Sequence, residues 1–303
     1  MPEIRRILCP VDFSDASQHA IDHAVVLAGW YQAPITALHV YTPIFLSVPG
    51  FGMAASPVES QPDDGEIKRL QNETRASFQS AISAGVDVDV MIRAGPPHLQ
   101  ILDCAGSLPA DIIVMGTHGI GGFEHLVLGS VTEKVLRKAT CPVLTVPPRA
   151  RATSKLPFKR ILCPADFSDS SLAALQFAFS LAQEGDAELT ILHVLEWPHD
   201  AEPLAERPYV VPEYRRYYEK DATERLEALV PADVRDWCKP STRLSHGKPY
   251  REILGIATEE GIDLIVMGVH GRNALDLMLF GSTTNQVVRR ATCPVLTLRF
   301  GGR

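Results

Sequence analysis

Two glycine-rich stretches hold the residues best suited to chemistry. Gly116-Thr117-His118-Gly119 is followed, nine residues on, by Gly129-Ser130, and Gly268-Val269-His270-Gly271 is followed at the same spacing by Gly281-Ser282. Glycines let backbone N–H groups come close to an anion, and a helix N-terminus adds donors that lack intrahelical partners, so the pattern suits a phosphate. Ser130 stands where it can cap the next helix and also offer a hydroxyl. Two aspartates complement these loops, Asp12 in Pro10-Val11-Asp12-Phe13-Ser14 and Asp166 in Pro164-Ala165-Asp166-Phe167-Ser168. A carboxylate has two acceptor oxygens for sugar hydroxyls, whereas phosphate calls for N–H and O–H donors. Ser14 and Ser168 are available to cap the helices that follow, which leaves the aspartates for binding. No G-x-x-x-x-G-K-S/T occurs, so phosphate is held without a P-loop lysine.

The elements around these residues follow from hydrophobic periodicity. In the first half the pattern predicts strands over 4–9, 35–41, 86–94, 111–115 and 143–146. Helices are predicted over 14–31, 67–84 and 131–139, with one more opened by Pro96-Pro97. Strict alternation of strand and helix gives a parallel sheet covered on both faces, with ligands outside the carboxyl ends of the strands. The turn at Asp12 and the loop at Gly116 both follow strands and belong at that end.

Laid on itself, the chain is a duplication. Arg6 to Asp15 recurs as Arg160 to Asp169, and Leu38-His39-Val40 as Leu192-His193-Val194, both 154 residues on. From Gly95, which matches Gly247, the displacement is 152, so the length change lies between Val40 and Gly95. A period this long means two domains, not a solenoid, and 303 residues allow two cores at about 150 residues each. The expected organisation is a domain over 1–147, a proline-rich basic linker over 148–157, and a second domain over 158–303.

A net charge of −7 leaves no global positive field, so neither nucleic acid nor an anionic membrane is an expected partner. Asp12 interrupts the first apolar run and no stretch reaches the length of a membrane span, so the chain reads as cytoplasmic. None of the six cysteines forms a C-x-x-C, and buried reduced thiols are expected. His98, Cys104, His118 and His125 lack zinc-ligand spacing, and His39 and His193 read as hydrogen-bonded core histidines.

The Pro-Val-Asp-Phe-Ser turn, Leu-His-Val, the G-2x-G-9x-G-Ser loop and Cys-Pro-Val-Leu together resemble the universal stress protein family in its tandem, ATP-binding form. That resemblance implies an α/β fold of two Rossmann-like domains, each a five-stranded parallel sheet of order 3-2-1-4-5 with helices on both faces. It implies one ATP per domain, with Mg2+ or Mn2+ held by the phosphates. In the first domain Pro10, Val11 and Asp12 would meet the nucleoside and Val40 the adenine edge. Met115, Gly116, His118, Gly119, Gly129, Ser130, Val131 and Thr132 would line the ribose and phosphates. The second domain would use Pro164, Ala165, Asp166 and Val194, with Met267, Gly268, His270, Gly271, Arg272, Gly281, Ser282, Thr283 and Thr284. Arg272 has no cationic counterpart at Ile120, so firmer retention of triphosphate is expected in the second domain.

The family also implies domains paired through their fifth strands and chains able to form homodimers. The divergent segments 42–65 and 196–218 leave the ligand-bearing end of the sheet, as lids or partner surfaces. Function is therefore expected to be nucleotide-dependent regulation of a stress response. Slow ATP hydrolysis is the enzymatic alternative, although no positioned base is visible and no catalytic residue is assigned. A nucleotide-free interaction scaffold is the third.

Overall fold

The computed structural model describes residues 4–42, 45–46, 58–59, 63–119, 128–148, 150, 158–196, 212–238, 240–269 and 280–299. Most of 42–65, 149–157 and 196–218 lies outside them, as do His270, Gly271 and Arg272. The first half runs β1 (Ile7–Val11), α1 (Asp15–Tyr31), β2 (Ile35–Tyr41), β3 (Phe45–Leu46), β4 (Val58–Glu59), α2 (Asp64–Ser77), α3 (Gln79–Ser83), β5 (Val88–Ala94), α4 (Pro97–Ser107), β6 (Ile112–Gly116), α5 (Ser130–Lys138) and β7 (Val143–Val146). The second half runs β8 (Arg160–Pro164), α6 (Asp169–Gly185), β9 (Glu188–Leu195), α7 (Pro212–Ala228), α8 (Val234–Trp237), β10 (Ser241–His246), α9 (Pro249–Glu259), β11 (Leu264–Gly268), α10 (Ser282–Arg290) and β12 (Val295–Leu298).

Ten strands form one sheet, ordered β10-β9-β8-β11-β12-β7-β6-β1-β2-β5, beside a separate β3-β4 pair. Read outward from the middle, each half has the order 5-4-1-2-3, which is the doubly wound arrangement with its switch point between β1 and β6, and between β8 and β11. All pairings within a half of the main sheet are parallel. Between the halves β12 meets β7 antiparallel, with Val295 opposite Thr145 and Thr297 opposite Val143. Burial on both faces explains the near-continuous apolar runs of β1, β6, β8 and β11. One face is covered by α1 and α6, which present Ala20, Ala24, Ala174 and Ala178 to the sheet; the other face packs α4, α5, α9 and α10.

Each half is stitched at its base in the same way. Asp111 accepts from the N–H groups of Arg5 and Arg6 at 2.8 and 2.9 Å, and Asp263 accepts from those of Lys159 and Arg160. These carboxylates fix the start of the first strand of each half against its fourth. Two sequence expectations need correction. The first strand begins at Ile7 and runs through Pro10 to Val11, because it pairs with β2 along that whole length. The helix expected over 67–84 is broken at Phe78, whose backbone (φ −103°, ψ 18°) leaves the helical region while its side chain is fully buried. Among the described residues no helix is long and apolar enough to cross a membrane.

Candidate functional site

The turn after β1 is a closed set of hydrogen bonds. Ser14 caps α1 by accepting from Ser17 N–H, Ser17 Oγ accepts from Asp12 N–H at 3.1 Å, and Asp12 Oδ1 accepts from Ser14 N–H at 3.1 Å and Ser14 Oγ–H at 2.6 Å. The capping duty falls to the serine, and the carboxylate is oriented by it. The second half repeats the arrangement through Asp166, Ser168 and Ser171, with Ser168 N–H and Oγ–H at 3.0 and 2.5 Å from Asp166 Oδ1.

Between aspartate and serine the backbone turns left-handed at a phenylalanine, with φ of 64° at both Phe13 and Phe167. An L-residue there costs about 1–2 kcal/mol. The ring offsets part of this by packing on a histidine of the second strand, with centroids 4.5 Å apart for Phe13 on His39 and for Phe167 on His193. Each histidine is fixed in turn, its Nδ1–H donating to Val11 O at 2.9 Å or Ala165 O at 2.7 Å. His39 and His193 thus support the turn as hydrogen-bonded histidines. Neither phenylalanine was singled out by sequence reasoning, because left-handed turns are usually signalled by Gly or Asn.

Across from this turn lies the glycine loop. Gly116 is buried at the end of β6, and a Cβ there would stand 2.8 Å from Ala16 O. Gly268 meets the backbone of Ser170 in the same way. The first glycine of each motif is therefore required for close passage of a helix over a strand, in addition to any role toward a ligand. A Cβ on Gly119 would run into Asp12 Oδ2, which brings the loop and the aspartate into direct apposition.

Gly129 is the N-cap of α5, donating its own N–H to Thr117 O at 2.9 Å. Ser130 is the first helical residue, so the expectation that it caps is not met; its hydroxyl and N–H stand at the helix mouth. The first intrahelical bond runs from Glu133 N–H to Gly129 O, so the N–H groups of Ser130, Val131 and Thr132 precede the ladder. Thr132 Oγ–H donates to Gly116 O at 2.9 Å and ties the helix to the loop. In the second half Gly281 donates to Val269 O, Asn285 N–H bonds Gly281 O, and Thr284 Oγ–H donates to Gly268 O at 3.0 Å.

In the first half these parts enclose a cleft of about 610 Å³. Its lining includes all twelve residues expected there: Pro10, Val11, Asp12, Val40, Met115, Gly116, His118, Gly119, Gly129, Ser130, Val131 and Thr132. Ser17, Leu38, Thr42, Pro97, Ile101 and Leu128 extend its wall, and sequence reasoning missed them; the i, i+4 pair Pro97 and Ile101 at the start of α4 was the available signal. The cleft is an apolar slot with a carboxylate on one side and helix amides on the other. Asp12 is the one Asp, Glu, Lys or Arg among these lining residues.

In the second half Pro164, Ala165, Asp166, Val194, Met267, Gly268, Gly281, Ser282, Thr283 and Thr284 occupy corresponding strand ends and helix start. All six cysteines are free, and burial pushes the Cys141 thiol up to about 11 and those of Cys163 and Cys293 to about 12, so these three are neutral at physiological pH. Among the described residues no three His, Cys, Asp or Glu side chains gather as a metal site.

Fold and motifs together define a tandem doubly wound α/β protein with a cleft at the switch point of its first half. Residues 3–147 and 157–299 each match the universal stress protein family, so the chain belongs to that family in its two-domain form. A universal stress protein of Mycolicibacterium smegmatis is 29% identical over 301 residues, covering 97% of this chain and 96% of that one. The single-domain universal stress protein YxiE of Bacillus subtilis is 36% identical over 147 residues, which is 47% of this chain and 99% of that protein. The crystal structure of a universal stress protein from Archaeoglobus fulgidus has the same fold, with a TM-score of 0.66 at 22% identity over 99% of this chain and all of that one.

Proposed function

We propose that the chain binds ATP, one molecule per domain, and acts as a nucleotide-dependent module of a stress response. The observation that carries this reading is the first cleft itself, in which a fixed carboxylate faces the exposed amides of a helix start across an apolar slot. Adenine fits the apolar wall of Leu38, Val40, Ile101 and Met115, ribose hydroxyls suit Asp12, and phosphates suit the amides of Ser130 to Thr132 together with Ser130 Oγ. The volume is within the ordinary range for small-molecule pockets, about 300–1,000 Å³.

A divalent cation would have Asp12 as its nearest carboxylate in this lining, and that group already accepts two hydrogen bonds from Ser14. One carboxylate does not make a cage for a hard cation, so Mg2+ or Mn2+ would be held chiefly by the phosphates and water. Among the described residues the cleft walls offer no Lys or Arg, and a site built to neutralise a phosphoryl-transfer transition state would carry such charge. In this reading the chain works in the cytoplasm and changes partner affinity with nucleotide occupancy, with homodimers as a further assembly.

The test is to denature freshly purified protein and quantify the nucleotide released per chain. ATP at about two per chain is the expected result for one site in each domain. ADP would point to turnover or diphosphate preference, and absence of both bound nucleotide and ATP binding by titration would leave a scaffold acting through its surfaces.

A further inference from the structure

The two halves share the hydrogen bonds from serine to aspartate and the left-handed phenylalanine of the Asp-Phe-Ser turn, yet only the second has a cation on it among the described residues. The guanidinium carbon of Arg225, on α7, lies 4.1 Å from the centroid of the Phe167 ring. That ring also packs on His193, which is buried and donates to Ala165 O. The left-handed residue next to Asp166 is therefore held by a histidine from β9 and an arginine from α7. In the first half Phe13 packs on His39. The internal repeat shows that the difference is written in the sequence. Displacements of 152 to 154 set Arg225 against Glu73, Asn72 or Gln71, and none of these is a cation.

We infer that Arg225 is a positioning residue that makes the second nucleotide site tighter than the first. This rests on the nucleotide reading above. A strained aromatic turn relaxes toward other backbone states unless its surroundings fix it, and every such state moves the carboxylate of the preceding aspartate. Clamping the ring removes those states before ligand arrives, so less ordering is left for binding to cost. Asp221, one turn back on α7, stands 3.8 Å from the Arg225 guanidinium and helps to hold it over the ring. The link runs outward as well. Glu219, on the same helix, pairs with His246 Nε2 at 3.0 Å at the end of β10, so α7 is tied to the ligand-bearing end of the sheet at two points. Occupancy of the second site is thereby connected to the helix that displays Tyr217 and Tyr218 to solvent.

The experiment measures ATP binding by calorimetric titration in two backgrounds of the full chain, Gly129→Val to close the first site and Gly281→Val to close the second. With the first site closed, Arg225→Ala should weaken the remaining site by about two- to fivefold, the scale of an exposed cation–π contact, and Arg225→Lys should restore most of the loss. With the second site closed, Arg225→Ala should leave affinity unchanged. Rescue by lysine separates positioning from a general loss of folding, which equal melting midpoints of the two Arg225 variants would check independently. Equal effects in both backgrounds, or no effect in the first, overturn the inference while leaving nucleotide binding intact. A wild-type chain that releases no nucleotide on denaturation and gives no binding heat overturns the nucleotide reading itself, and the inference falls with it.

Discussion

At the scale of single residues, the glycines of one motif separate into two kinds. Gly116 packs against backbone, so Gly116→Ala forces Ala16 O away from a Cβ 2.8 Å distant and should lower unfolding free energy by about 1–3 kcal/mol. Gly119 faces the movable end of a side chain, so Gly119→Ala should displace the Asp12 carboxylate, leave stability within about 0.5 kcal/mol of wild type and remove nucleotide binding at the first site. Urea unfolding and ATP titration of both variants check the pair; loss of stability without loss of binding in Gly119→Ala would sink the assignment. His23 gives a pH prediction. It is buried on α1 with Nδ1–H donated to His19 O, and burial holds it below the usual 6.5, against the opposing pull of that hydrogen bond and of Asp22. The unfolded chain therefore takes up a proton on this ring that the folded chain resists, so stability falls as pH drops below 6.5. His23→Gln should make that fall below pH 6.5 shallower, measured by denaturant unfolding across the range.

At the scale of elements, the start of α1 joins helix stability to ligand recognition. Ser14→Ala removes the N-cap and the Oγ–H bond to Asp12 Oδ1 while keeping the backbone N–H bond to the same oxygen, so it should cost about 0.5–2 kcal/mol and weaken nucleotide binding at the first site. Ser168→Ala should do the same in the second domain. A fall in melting temperature with unchanged affinity would mean that the serine only caps. The parallel, two-faced sheet was legible in the sequence because apolar runs alternate with helical stripes and the repeat checked each assignment twice, whereas the strand order came from the family resemblance. The ends of elements were less legible. The break at Phe78 follows from a side chain that fills the core where α2 gives way to α3, which periodicity alone does not signal. Ser130 reads as a cap because its type favours that role, yet Gly129 takes the position, since its N–H must reach Thr117 O and a Cβ there would lie 3.1 Å from the same oxygen. The candidate site was legible where it uses glycine, aspartate and serine, and illegible where it uses Leu38, Ile101 and Leu128, whose roles depend on which core residues happen to border the cleft.

At the scale of the whole molecule, the duplication is closed into one body. Thr145 Oγ–H donates to Val295 O at 3.1 Å and Thr297 Oγ–H to Val143 O at 3.3 Å, a reciprocal pair across the central β7-β12 ladder. Tyr31 Oη–H donates to Glu184 at 2.6 Å between α1 and α6, and Arg299 donates to Arg137 O at the end of α5. The buried apolar layers continue across the junction, since residues of both halves belong to each. Domains joined by a small polar surface move independently, whereas a shared sheet and shared core couple their unfolding. The chain should therefore unfold in a single calorimetric transition whose van't Hoff and calorimetric enthalpies agree. Thr145→Val with Thr297→Val removes both cross-junction hydroxyl bonds while keeping shape, and should lower stability by about 1–3 kcal/mol without splitting the transition. Saturating ATP should raise that one midpoint, because a ligand stabilises every segment that must unfold together with its site. Two separated transitions, with only one of them moved by ATP, would show instead that the halves are independent domains in contact, and would remove any structural route by which occupancy of one cleft could be felt at the other.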